Sequence, residues 1–251
     1  MLNLIINKMK KTSMIIVCAM FLFSNMIAQN AKLELEKAQK SGKSIFLVVS
    51  TKTSVNTESL QKLAVDASKK AKNIAIIKID RDDKANSEII SKYRLAGVQL
   101  PIILVLASNG VASGGLTTND ASVEKLLSYL PTKTQADVLL GFENGKPALI
   151  VCGKKNAKDK SAIEAECKKA ALSMGGKATQ VFLDVESKSE ANFLALLKPD
   201  VTKTTVLVFN GKGQYTGTLE ATAKSNDLIT SINKKIGGCC PSGSSSGCGK
   251  K

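Results

Sequence analysis

Uninterrupted apolar runs alternate with amphipathic stretches along this chain, and the same alternation occurs twice. Ile45-Phe46-Leu47-Val48-Val49-Ser50 is apolar almost throughout, the pattern of a strand buried on both faces of a sheet. Leu60, Leu63, Ala64 and Ala67 then recur at i, i+3, i+4 and i+7, one face of a helix, with Thr57 placed to cap it. Before the strand, residues 31–40 read as a helix that Ser41-Gly42 ends. Ile74 to Ile79 predicts a second strand, closed by Asp80-Arg81-Asp82-Asp83. Those acids suit the N-terminal turn of the helix expected over Ser87 to Leu95, where the dipole favours negative charge. They lack the spaced ligands and closing glutamate of a calcium loop.

The stretch Gly97 to Gly110 organises the module. An apolar run starts on Pro101 and ends at Asn109-Gly110. Proline has no N–H for a ladder, so Pro101 belongs at the first residue of a strand. Asn109-Gly110 predicts a tight hairpin into Val111 to Leu116. Asn119 or Asp120 then caps a helix with Val123, Leu126, Leu127 and Leu130 on one face, and Pro131 stops it.

After a short linker, Thr132-Lys133-Thr134, the order returns. A helix over Gln135 to Phe142 precedes a strand over Ala148 to Cys152 and a lysine-rich loop from Lys154 to Lys160. A helix from Ala162 to Met174 ends at Gly175-Gly176, followed by a strand over Thr179 to Val185 and a helix over Glu190 to Leu197. Val206 to Asn210 and Gln214 to Leu219 form the hairpin, and Leu228, Ile229, Ile232 and Ile236 mark the last helix. Thr204 stands where the proline stood. Strand–helix–strand crossovers make parallel, right-handed units, and the hairpins add antiparallel strands. The chain is therefore α/β: two tandem domains, each a mixed β-sheet flanked by helices.

Lys92-Tyr93 through Gly110, with a helix end, a proline, a strand and a hairpin, resembles the second half of a thioredoxin fold. The resemblance spans roughly residues 30–131, and more faintly 134–237, with two extra residues between Val98 and Pro101. It implies a fold and a cis bond before Pro101. The family carries Cys-x-x-Cys after the first strand, at a helix N-terminus that lowers a thiol's pKa. Counted from the strands, Thr53 and Asn56 occupy those positions in the first copy, and Asn156 and Asp159 in the second. The family's buried acid falls at Leu47 and Ile150, both apolar. In the family an extended peptide docks beside the cis-proline, so the resemblance implies a groove at Leu100, Pro101, Thr53, Ser54 and Asn56.

Composition narrows the chemistry. Histidine is absent, which removes the usual base of serine and cysteine nucleophiles. Tryptophan is absent and aromatics are few, so the cores must be aliphatic. The glycine pairs Gly114-Gly115 and Gly175-Gly176 lack the lysine–Ser/Thr ending of a phosphate loop. The formal charge of +15 is spread along both copies without aromatic interleaving, which argues for a solvated surface and against nucleic acid. Residues 1–28 read as a secretory signal: Lys8, Lys10 and Lys11, then an apolar run from Met14 to Phe23 too short to span a bilayer, then a cleavage point at Ala28-Gln29. Lipidation at Cys18 and a start at Met9 are the alternatives. Periplasmic or secreted location is the expectation.

Mature-chain thiols are Cys152, Cys167, Cys239, Cys240 and Cys248. Cys152 ends a strand near a helix start and a lysine-rich loop, features that activate a thiol; inert burial is the alternative. Cys167 reads as a small buried hydrophobe, and a Cys152–Cys167 disulfide stays open. The composition of the Gly/Ser tail, residues 238–251, predicts a flexible segment, and it places Cys239, Cys240 and Cys248 within ten residues. Three soft thiolates suit Cu(I) or Zn(II), exchange of disulfides with a partner, or a passive loop. The expected function is an exported, non-enzymatic module for a protein or peptide partner in the cell envelope. The alternative is thiol–disulfide or soft-metal chemistry through the tail.

Overall fold

The structure, a computed structural model, describes residues 30–236; the segment read as a secretory signal and the cysteine tail lie outside the described residues. The chain divides into two compact units between Leu140 and Gly141. In the first, α1 (Asn30–Lys40), β1 (Ser44–Ser50), α2 (Thr57–Lys70), β2 (Ile74–Asp80), α3 (Ser87–Lys92), β3 (Ile102–Leu106), β4 (Ala112–Thr117) and α4 (Val123–Ser128) follow one another. The helix α5 (Lys133–Glu143) carries the division within it, and β5 (Ala148–Gly153), α6 (Lys160–Ser173), β6 (Thr179–Asp184), α7 (Ala191–Leu197), β7 (Thr205–Phe209), β8 (Tyr215–Glu220) and α8 (Ser225–Ile232) complete the second.

Both sheets have one topology. The first runs β2-β1-β3-β4 and the second β6-β5-β7-β8. In each, a parallel crossover pair is followed by an antiparallel strand and its hairpin partner. That order and polarity make the chain two tandem thioredoxin-like domains.

The apolar runs are explained by cores on both faces. Phe46 and Val48 of β1 pack with Leu60, Ala64 and Ala67 of α2 and Leu126 of α4. Ile45, Leu47 and Val49 point the other way, to Leu35 of α1 and Ile89 and Ile90 of α3. In the second domain Leu149 and Val151 pack with Ile163 and Cys167 of α6 and Leu228 and Ile232 of α8. Alternation then turns Ala148, Ile150 and Cys152, none with any exposure, to the opposite face.

Several local expectations shift. The tight hairpin expected at Asn109-Gly110 has a three-residue loop, 108–110. Gly110 alone there has positive φ (85°), and its N–H donates to the Ala107 carbonyl at 2.9 Å. A glycine bulge, with a register shift between Val105 and Leu106, results. In the second domain the N–H of Gly213 (φ 72°) takes this part, donating to the Asn210 carbonyl, so Asn210-Gly211, though it has the same letters, is out of register with Asn109-Gly110. Thr57 is the first residue of α2, not its cap; Asn56, at φ 63°, precedes it. Ser122, whose hydroxyl accepts from Lys125 N–H, caps α4 in place of Asn119 or Asp120, which lie in a 3-10 turn. Arg94 at φ 55° lies beyond α3, which ends short of Leu95. Ile236 lies beyond α8 and is exposed. The expected linker is a helix start: Thr132 Oγ1 accepts from Gln135 N–H, and Lys133 and Thr134 are already helical. With no glycine or proline after Pro131 until Gly141, nothing breaks that turn.

The repeat exposes one unequal packing. A β-carbon on Gly114 would lie 2.7 Å from the Tyr129 ring, whereas one on the equivalent Gly217 would lie 3.5 Å from Ser231 Oγ. The ring of Tyr129 thus covers β4, while β8 and α8 leave a groove between them, lined in part by Gly217, Leu219, Ile229 and Ser231. Tyr129→Ser should lower the first domain's stability by about 1–3 kcal/mol in urea unfolding, because a half-buried ring is removed from a glycine that cannot fill the gap. Loss below about 0.5 kcal/mol would show that the ring is not a packing element.

Candidate functional site

The first domain's candidate residues gather where β1 runs into α2. Ser54 organises the turn: its Oγ accepts from Thr51 N–H at 2.9 Å and lies 3.0 Å from Thr51 Oγ1. Thr53 Oγ1 lies 3.2 Å from Thr51 Oγ1, and Thr57 Oγ1 donates to the Ser54 carbonyl at 3.2 Å. Asn56 adopts the left-handed conformation, which asparagine tolerates better than most residues, and turns the chain into α2. A hollow of about 510 Å³ opens here, lined by Ser50, Thr51, Ser54, Asn56 and Thr57 among others. Val55, within this turn, is 74% exposed.

Leu100 and Pro101 arrive at the same end of the sheet. The Leu100–Pro101 bond is cis, and Pro101 stands one residue before β3 and one beyond the ladder pair Val49–Ile102, beside Ser50. Pro101 is buried, and Leu100 packs half-buried against the core on the α1 side. Neither lines the hollow, so the turn and the proline share an end of the sheet without forming one pocket. Arg81, read at first only as part of an acidic turn, secures the loop ahead of the proline. Its backbone N–H donates to the Ser50 carbonyl at 2.8 Å and its guanidinium to the Val98 carbonyl at 3.3 Å. No local pattern marks that role, because Val98 lies seventeen residues away.

In the second domain Asp159 precedes α6 as Asn56 precedes α2. Its carboxylate makes no bond to its own helix; it accepts from Thr204 Oγ1 at 2.7 Å. Asn156 lies exposed in the turn before it. Lys154 pairs with Glu186 at 2.7 Å, and that hydrogen bond holds its ammonium above the usual lysine pKa. Lys160 Nζ sits 3.8 Å over the Phe182 ring.

Both described thiols are free and fully buried. Burial pushes Cys152 up to about 12, and its sulfur finds only the Ile150 carbonyl, at 3.7 Å. Burial, and then the charges of Glu164 and Glu166, push Cys167 up to about 12. The activation considered for Cys152 fails on geometry: α6 packs on the Leu149–Val151 face, and Cys152 faces away from it. The same alternation separates Cys152 from Cys167, so the disulfide left open by the sequence is not formed. Cys239, Cys240 and Cys248, with the Cu(I) or Zn(II) suggested for them, lie outside the described residues. Among the described residues no group of three or more His, Cys, Asp or Glu side chains could hold a metal, and no helix is long and apolar enough to cross a membrane.

No protein-family model matches the chain, and no curated protein does. Among solved structures it is similar to the first two thioredoxin domains of Saccharomyces cerevisiae Eps1p, at 11% identity over 82% of this chain and 96% of that one, TM-score 0.32. It is also similar to the NTD_N/C domain of the Enterococcus faecalis alkylhydroperoxide reductase AhpF, at 14% identity over 80% and 96%, TM-score 0.26. Human ERp44 matches at 9% identity over 79% and 53%, TM-score 0.35. The fold rests on strand order, polarity and register.

Proposed function

We propose that this chain is an exported, non-enzymatic module that binds a protein or peptide partner in the cell envelope. Its docking edge is formed by Leu100 and Pro101 of the first domain, with the turn Thr53, Ser54 and Asn56 beside it. One observation carries the reading: the turn where the fold would place reactive thiols holds hydroxyls bonded to one another, and the two thiols of the described domains are buried and protonated. A thiol must be accessible and ionised to exchange disulfides. A rigid turn beside a strand start suits capture of an extended segment through its backbone. The leader read in residues 1–28 supports export.

The three tail cysteines favour a second reading, a redox or soft-metal arm. Deleting residues 237–251 separates the two. Under the binding reading, capture of partner from envelope extracts is unchanged, and neither form reduces insulin disulfides. Under the second, deletion abolishes disulfide reduction or bound metal, read by native mass spectrometry before and after chelation.

A further inference from the structure

We infer that the second domain's docking edge is closed by its own side chains, so that the first domain alone receives an extended segment. This rests on the reading of the Leu100–Pro101 edge as the docking site, and it assigns unequal roles to two copies of one fold. The register makes the comparison position by position. Thr205 pairs with Cys152 as Ile102 pairs with Val49. Thr204 therefore stands at the place of Pro101, Gly153 at that of Ser50, and Asp159 at that of Asn56.

Three features of the second domain act together there. Thr204, only 5% exposed, donates its hydroxyl to Asp159 Oδ1 at 2.7 Å, joining the start of β7 to the residue that opens α6. The acceptor is a carboxylate at a helix N-terminus, where bonds to charge are strong and the dipole favours it. Gly153 permits the arrangement: a β-carbon there would lie 3.0 Å from Thr204 Oγ1 and 3.1 Å from its Cγ2, displacing the hydroxyl. In the first domain the equivalents are Ser50, which carries a side chain, and Pro101, which offers no donor. A paired strand lies about 4.7–4.9 Å from its neighbour, so a segment entering between strand start and helix start needs roughly twice that width. The 2.7 Å bond from Thr204 to Asp159 ties the strand start to the helix start across that gap.

The test uses the full chain and, as probe, carboxymethylated, permanently unfolded ribonuclease A, with hydrogen exchange read by mass spectrometry. In the native protein the probe should protect peptides covering residues 51–57 and 98–102 and leave 154–160 and 202–205 unchanged. Thr204→Val, which keeps the branched shape without the hydroxyl, should add the second footprint; Asp159→Ala should do the same from the other side of the bond, and Thr204→Ser should not. Without probe, Thr204→Val should speed exchange at residues 160, 163 and 205 about tenfold, the loss of one charge-assisted bond. Equal protection of both domains in the native protein overturns the inference, as does unchanged probe-free exchange in Thr204→Val. If the probe protects neither domain in any form, the docking reading fails, and the probe-free comparison still decides whether the bond closes the edge.

Discussion

Native protein treated with a thiol-alkylating reagent at pH 8 will leave Cys152 and Cys167 unmodified, while both alkylate freely in denaturant. Each has no exposure, and burial moves its thiol from the ordinary value of 9.0 to about 12. The thiolate is the nucleophile, and a shift of that size lowers its fraction by about 1000-fold relative to an exposed cysteine. Peptide-resolved mass spectrometry measures each site separately from the tail. Modification of either buried thiol at the rate of a free cysteine would return thiol chemistry to the folded domains. The same shift sets an alkaline limit. In the unfolded chain these thiols ionise above pH about 9, whereas in the folded domain they keep their protons. Their contribution to stability is therefore fully present below that pH and is lost as pH rises toward 12, by about 1.4 kcal/mol per pH unit for each thiol. A Cys152→Ala, Cys167→Ala variant should show a flatter stability profile between pH 9 and 11, read by urea unfolding at each pH.

Phe46→Ala should cost the first domain about 3–5 kcal/mol, the range for emptying a fully buried aromatic site. Phe46 is among the largest side chains with no exposure, in the middle of β1 between β2 and β3, and its ring fills the layer closed by Leu60, Ala64, Ala67 and Leu126. Ala64 and Ala67 are too short to fill the space a ring leaves, so a cavity results. Against the roughly 5–15 kcal/mol typical of a whole domain, the loss leaves the first domain marginal. Val55→Ala, at a 74% exposed site, is the control and should change stability by less than about 0.5 kcal/mol. Urea unfolding gives the size of the effect, and exchange in residues 44–50 assigns it to β1. A cost under about 1 kcal/mol for Phe46→Ala would mean that this face of the sheet is not close-packed.

The candidate site was legible in part. Spacing from the strand pointed to the turn ahead of α2, and Asn56 does open that helix. The proline pointed to the strand start that it precedes. The second hairpin's bounds were legible too, though Asn210-Gly211 copies the letters of Asn109-Gly110 while the bulge selects Gly213. The Thr204–Asp159 bond joins residues forty-five apart, and Arg81 meets Val98 across seventeen. No local window contains either pair.

The sequence alone determined the order and kind of the elements, their repetition, and the burial of β1 and β5 on both faces. Those properties follow from short-range rules: the i, i+3, i+4 spacing of a helix face, the length of an apolar run, the missing N–H of proline and the turn preference of glycine. Only the tertiary structure decided that Cys152 and Cys167 face opposite sides, that Thr204 closes on Asp159, and that Tyr129 covers one edge strand while Ser231 leaves the other bare. These depend on the register between strands distant in the chain, where a slip of one residue turns every side chain to the other face. That register is set by the sum of many packing contacts across the sheet and is written in no single stretch of residues.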